Sequence, residues 1–139
     1  MNAISVIYDE SALVAYARGH VGAGELVSEV HDNHQRLGVP ATCLGHAVAT
    51  LVDEWDVEQL MRLVGANATV ILPLGDSDQD QAEQIRAIGT LSRAIDCDLA
   101  TGHAVAAALE HRAYYASTRT GPATDVLPPG WEILDLSGS

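Results

Sequence analysis

The first sixteen residues constrain the fold more than any other stretch of the chain. Residues 4–8 form a short apolar, β-branched run, which is typical of a buried parallel strand. Asp9 ends this run, and residues 12–16 begin a helical pattern. Open α/β sheets bind ligands and metals where their strands end, so Asp9 is the first candidate site residue. Asp9 can equally cap the following helix, and the spacing alone does not separate these two roles.

The rest of the chain alternates between helical and strand patterns. Further apolar runs predict strands at 69–74, 113–117 and 131–135. Helical spacing predicts helices over 25–37, from Pro40 to Leu51, after an Asp53 or Asp56 cap, over 82–91 and over 99–111. Turn residues predict a flexible break at Gly19, Gly22 and Gly24, a helix C-cap at Gly38, a helix end at Gly65 and Asn67, and a loop over 119–130.

This alternation predicts an α/β fold. We expect a three-layer α/β/α sandwich whose central parallel sheet has four or five strands, with the first strand in the middle. The chain has 139 residues, which suits one domain over 1–136 and a short tail over 137–139. Its only two cysteines, Cys43 and Cys97, lack metal-type spacing and are expected to be buried thiols.

The charge balance limits the possible partners. Nineteen acidic residues face seven basic ones, all arginine, and the formal net charge is −12. Such a chain repels nucleic acid unless a metal or a local arginine cluster offsets the field, and it attracts a basic partner protein. The sequence has no apolar run long enough for a bilayer and no secretion signal at its start, so we expect a cytoplasmic protein that does not enter the membrane.

Several ordered segments resemble the signatures of PIN domains. The opening IYDESALVAY is similar to the family's first strand, Asp and Ser, with Ser11 in the place of that serine. Four later segments resemble, in order, the family's glutamate-bearing helix, central strand, C-terminal signature and last strand: VPATCLGHAVATL, ATVILPLGDSD, DLATGHAVAAALEHRAYYASTRTG and GWEILDL. The resemblance implies a metal-dependent ribonuclease fold of the kind found in toxins of bacterial toxin–antitoxin pairs. It also implies a homodimer, with RNA or an antitoxin as further partners.

The acidic residues expected from this resemblance are incomplete. Asp9 matches the first acid, and Asp98 lies one turn before the position of the helix-opening acid, which is Thr101. His46 stands at the glutamate position, and either Arg119 or Thr120 stands at the last acid. If Asp9 and Asp98 form the catalytic and metal-binding pair, Mg²⁺ or Mn²⁺ should bind weakly. We therefore expect a PIN-like protein with weak or no nuclease activity that binds a protein or nucleic-acid partner.

Other interpretations of the same residues remain open. The alternative function is an active Mg²⁺- or Mn²⁺-dependent endoribonuclease, in which Asp96 or Asp76 completes the site. His46 and His103 could instead join Asp9 and Asp98 around a transition metal, or act as hydrogen-bonded structural side chains. Cys43 and His46 are spaced to form a nucleophilic pair, although no third, orienting group is evident. The acidic cluster Asp76, Asp78 and Asp80 reads as helix capping and solubility.

Overall fold

Five parallel strands form one sheet, and helices cover both of its faces. The computed structural model describes residues 3–75, 81–94 and 98–137. Its strands are β1 (Ile4–Tyr8), β2 (Arg36–Pro40), β3 (Thr69–Leu72), β4 (Tyr114–Ser117) and β5 (Ile133–Asp135). Its helices are α1 (Glu10–Ala17), α2 (Val21–Asp32), α3 (Ala41–Thr50), α4 (Glu54–Val64), α5 (Gln81–Ala94), α6 (Leu99–His111) and α7 (Gly121–Val126). The predicted α/β fold is confirmed.

The order of the strands puts the first strand in the middle of the sheet. The order is β3-β2-β1-β4-β5, and every pairing is parallel. The carboxyl ends of all five strands therefore meet at one edge, where Asp9 follows β1. The central position predicted for the first strand is confirmed.

One strand was predicted as part of a helix. Residues 25–37 were expected to form one helix capped by Gly38, but α2 ends at Asp32 and Gly38 lies inside β2. A Cβ atom at Gly38 would lie 2.6 Å from Ile7 Cδ1 and 2.9 Å from Ile4 Cγ2. Glycine is therefore needed there because β1 packs against the backbone of β2, and not because a helix ends.

Two other predictions about turns are wrong. The expected break at Gly22 and Gly24 lies inside α2, which starts at Val21 because the His20 ring accepts a hydrogen bond from Ala23 N at 3.1 Å. The expected loop over 119–130 contains α7, whose first turn holds Pro122, a residue suited to that position. The remaining predicted strands and helices are present, with ends that differ by up to three residues.

The core is built from small and branched aliphatic side chains, with two buried tyrosines. Tyr8 and Tyr115 are fully shielded from solvent, and Tyr8 donates a hydrogen bond to Ala23 O at 2.6 Å. Cys43 is buried as expected, whereas Cys97 lies outside the described residues. Across the described ranges, the helices are too short or too polar to cross a membrane.

Candidate functional site

The carboxylate of Asp9 is buried and accepts hydrogen bonds from neighbouring protein groups. Asp9 is the N-cap of α1 and only 4% exposed. Its Oδ1 accepts hydrogen bonds from Ala12 N at 3.0 Å and from Ser11 Oγ at 2.6 Å, and its Oδ2 accepts one from Tyr115 OH at 3.0 Å. A carboxylate offers about four acceptor positions, so three are already occupied. The capping role proposed for Asp9 is confirmed.

Ser11 connects the start of α1 to the segment that follows β4. Its Oγ accepts a hydrogen bond from Thr118 N at 2.9 Å and lies 3.0 Å from Ser117 Oγ. Ser117 Oγ in turn accepts one from Arg119 N at 2.8 Å. These contacts fix the backbone of residues 117–119 beside Asp9, and they bring the Arg119 side chain to this edge of the sheet.

Glu10 is a site residue that the sequence analysis missed. Its side chain is only 11% exposed, although it belongs to the first turn of a helix. Arg119 Nη2 donates to Glu10 Oε2 at 2.8 Å, and His46 Nε2 lies 3.6 Å from Glu10 Oε1. Thr50 Oγ1 lies 3.5 Å from the same Oε1. Of the two acids at the start of α1, Glu10 and not Asp9 therefore contacts Arg119 and His46.

His46 stands between two carboxylates. Besides Glu10, it approaches Asp98, with 3.6 Å between His46 Nδ1 and Asp98 Oδ2. This geometry places His46 beside the acids, as its position in the resemblance implies. The histidine side chain is 43% exposed, so solvent and ligands can reach this pair of contacts.

Asp98 is the N-cap of α6, and its side chain is 47% exposed. Its carboxylate accepts a hydrogen bond from Thr101 N at 2.8 Å. The pKa of Asp98 lies below its usual value. Partial burial by itself would raise this pKa, but the hydrogen bonds from Thr101 and the nearby His46 and Arg119 lower it by more. Thr101 therefore serves Asp98 as a donor at the position where the resemblance implies an acid.

The transition-metal hypothesis is wrong in its use of His103. This side chain is 3% exposed, with Nδ1 2.8 Å from Thr42 Oγ1 and Nε2 3.1 Å from Pro73 O. Both ring nitrogens are thus engaged within the core, and burial lowers the pKa of His103. Its role is the structural one left open by the sequence.

The proposed Cys43–His46 pair is also wrong. Cys43 is fully buried, and its Sγ donates to Ala100 O at 3.1 Å, while His46 points to Glu10 and Asp98. Burial, followed by the negative charge of Asp9, raises the pKa of Cys43 well above its usual value. A buried thiol of this kind is unreactive.

The remaining candidates do not add to the site. Thr120 precedes α7, where its carbonyl oxygen accepts from Thr124 N at 2.9 Å and from Thr124 Oγ1 at 2.8 Å. Four acids that the sequence offered lie outside the described residues: Asp76, Asp78, Asp80 and Asp96. Within the described ranges, no group of three or more Asp, Glu, His or Cys side chains is placed to hold a metal ion.

The site is therefore a small ionic network at the carboxyl edge of the sheet. Two acids, Glu10 and Asp98, face one arginine and one histidine, while Asp9 holds the backbone behind them. The Arg119 side chain is 65% exposed, so its guanidinium can contact a ligand while it remains close to Glu10. No protein-family model matches this chain, and a search of the curated proteins found no match.

Proposed function

We propose that this chain is a PIN-like protein with an incomplete acidic metal site, that it is weak or inactive as a nuclease, and that it acts by binding a partner. The observation that carries the proposal is the contact between Arg119 and Glu10 at 2.8 Å, with His46 between Glu10 and Asp98. A central first strand that ends in an acid, in an all-parallel sheet, supports the PIN-like assignment.

The ionic network explains why a hard cation would bind weakly. Mg²⁺ requires oxygen ligands in near-octahedral geometry, and histidine suits other metals. A cation that approached Glu10 would have to displace the Arg119 guanidinium or bear its repulsion. Asp9 has little capacity left for a metal, because three of its acceptor positions are filled.

Arg119 instead gives the site a way to bind anions. A guanidinium forms paired hydrogen bonds with phosphate or carboxylate groups and keeps its charge at every physiological pH. The net charge of −12 opposes the approach of RNA, so among the possible partners we favour a protein, for example a basic antitoxin-like chain, over a nucleic acid.

Exposed apolar side chains support a protein partner. Val21 is 68% exposed, Trp55 62% and Val52 96%, and all three lie on or beside helices in the first half of the chain. Exposed tryptophan and aliphatic side chains are common in protein–protein contacts. We propose that this surface also forms a homodimer.

A cleavage assay tests the proposal about activity. Purified wild-type protein, incubated with single-stranded RNA and Mg²⁺ or Mn²⁺, should cleave no faster than the Glu10→Gln and Asp9→Asn variants. Glu10→Gln is the more informative variant, because Asp9→Asn also alters the cap of α1. Metal-dependent cleavage by the wild type that disappears in both variants would refute the proposal.

That result would establish the alternative function, a Mg²⁺- or Mn²⁺-dependent endoribonuclease. One observation favours this alternative: the structure adds Glu10 to Asp9 and Asp98 at the same edge of the sheet. Three carboxylates are enough to hold a catalytic cation if Arg119 moves away when substrate binds.

Light scattering tests the homodimer. The wild type should have twice the mass of one chain at tens of micromolar, and Trp55→Gln should shift the protein toward the monomer. Leu109→Gln is a matched control, because Leu109 is a partly exposed apolar residue on α6, in the second half of the chain. A monomeric wild type, or a dimer that only Leu109→Gln disrupts, would contradict the proposed interface.

A further inference from the structure

A cleft lies at the opposite edge of the sheet from the ionic network. We call it the basal cleft, and its main lining residues are Ser5, Val6, Leu26, Gln35, Arg112 and Tyr114. Its volume is about 600 Å³, which is within the usual range for small-molecule sites. Ser5 precedes Asp9 by four residues of an extended strand, so the two edges are about 13 Å apart.

The floor of the basal cleft is formed by one face of the sheet near the amino ends of its strands. Val6 pairs with Tyr114, and Leu134 pairs with Ala116, two residues further along β4, so Val6, Tyr114 and Leu134 share one face. Leu26, one turn before Val30 on α2, forms the wall of the cleft. Tyr114 is 50% exposed although β4 is an interior strand, so its aromatic ring is free to contact a ligand.

Arg112 provides a cationic group at the rim of the cleft. It follows α6 with φ 51° and ψ 43°, in the left-handed region that usually requires glycine. A side chain in this conformation is strained, and such strain is concentrated at functional positions. Within the described ranges, the ion pairs of the protein do not involve Arg112.

Further polar groups surround the same space. The Ser5 hydroxyl is shielded from solvent and has no hydrogen-bond partner, and Ser5 is one of the residues that line the cleft. Asn33 and Gln35 bring amide groups to the rim, where both residues are exposed. Glu29 lies on the α2 side of the cleft. Because its carboxylate repels an anion, the anionic group of a ligand would lie on the side of Arg112.

We propose that the basal cleft binds a small molecule that has a flat aromatic ring and one anionic group. The ring would pack on Tyr114 and the apolar floor, and the anion would pair with Arg112. The amide groups and Ser5 would form hydrogen bonds with polar atoms on the edge of the ring. A phosphate and a carboxylate both satisfy the anionic requirement, so both are tested.

Nuclear magnetic resonance titration of the full chain tests this proposal. The probes are AMP and UMP for a phosphate, benzoate and indole-3-acetate for a carboxylate, and inorganic phosphate for an anion without a ring. At least one ring-bearing probe should give saturable amide shifts in residues 4–6 and 112–114 below about 5 mM, while inorganic phosphate gives none. If only the mononucleotides bind, the cleft accepts a phosphate. If only the aromatic carboxylates bind, it accepts a carboxylate.

Two variants and a control establish which groups bind. Arg112→Gly removes the guanidinium and relieves the left-handed strain, so the fold should be retained while binding weakens about tenfold or more. Tyr114→Ala should also weaken binding, and Arg86→Ala, a surface arginine on α5, should leave it unchanged. The proposal is overturned if no ring-bearing probe saturates, if the shifts centre on residues 9–11, or if Arg112→Gly binds as well as wild type.

Discussion

The ionic network makes a quantitative prediction about metal binding. With histidine counted as neutral, Asp9, Glu10, Asp98 and Arg119 give this edge of the sheet a formal charge of −2. The double variant Arg119→Gln/His46→Glu changes that charge to −4. It also places a further carboxylate at position 46, between Glu10 and Asp98. We expect the variant to bind Mn²⁺ much more tightly than the wild type does.

The size of the effect follows from Coulomb's law. A divalent cation about 5 Å from a unit charge gains about 1.7 kcal/mol at the dielectric constant of water, so two unit changes give about 3 kcal/mol. This is about 200-fold in Kd at low ionic strength. Screening at about 0.15 M salt reduces the gain to roughly half, or about 20-fold. The difference between the two salt conditions is part of the prediction.

Isothermal titration calorimetry with MnCl₂ measures the effect, and the variant Arg119→Gln/His46→Gln is the matched control. The control removes the same arginine and histidine but adds no acid, so its affinity should lie between those of the wild type and the glutamate variant. Arg86→Gln, which removes an exposed arginine that pairs with Glu83 on α5, should behave as wild type does. If the glutamate and glutamine double variants bind Mn²⁺ equally, Glu10 and Asp98 do not form a cation-contacting pair, and the reasoning fails.

Two further predictions concern stability, measured by urea denaturation. Gly102→Ala should lose about 1–3 kcal/mol, because its Cβ would lie 1.8 Å from Ser92 Oγ and 3.0 Å from Ser92 Cβ; Gly89→Ala, whose Cβ meets nothing within 4 Å, should not lose stability. The pKa of His103 is lowered in the folded state, so the unfolded chain binds more protons below about pH 6.5, and wild-type stability should fall as the pH drops from 7 to 5. His103→Gln should flatten the dependence of the free energy of unfolding on pH, and a change of the exposed His31 to Gln should leave it as in wild type. Equal pH dependence in all three proteins would refute the assignment of this effect to His103.

The sequence predicted the sheet well where a strand is a continuous apolar run. The runs at 4–8 and 69–74 contain β1 and β3, although β3 ends at Leu72. It failed at β2, where Gly38 and Pro40 look like the end of one helix and the start of another. The reason for Gly38 is the side chains of Ile4 and Ile7 on the neighbouring strand, and that contact has no signature in the local sequence.

The prediction of the candidate site was incomplete for a related reason. The rule that sites lie at strand ends is local, and it directed attention to the turn after β1, where the structure has the ionic network. Glu10 was overlooked because an acid in the first turn of a helix is common, being stabilised by the helix dipole. Its partner Arg119 is 109 residues away, so only the folded chain shows that the two are in contact. Ser11 is the link, because its contact with Thr118 N fixes the segment that carries Arg119.

The charge of the whole chain makes the position of Arg119 informative. Only seven arginines offset nineteen acids, and one of them is paired at 2.8 Å with Glu10, whose side chain is only 11% exposed. A site selected to hold a divalent cation would gain from a vacant carboxylate there, since a guanidinium opposes the metal by the same Coulomb energy that an acid would supply. A site that binds an anionic group of a partner gains from this arrangement, because Glu10 positions the guanidinium while most of it remains open to solvent. The geometry of this one pair is therefore the strongest reason to propose binding in place of hydrolysis.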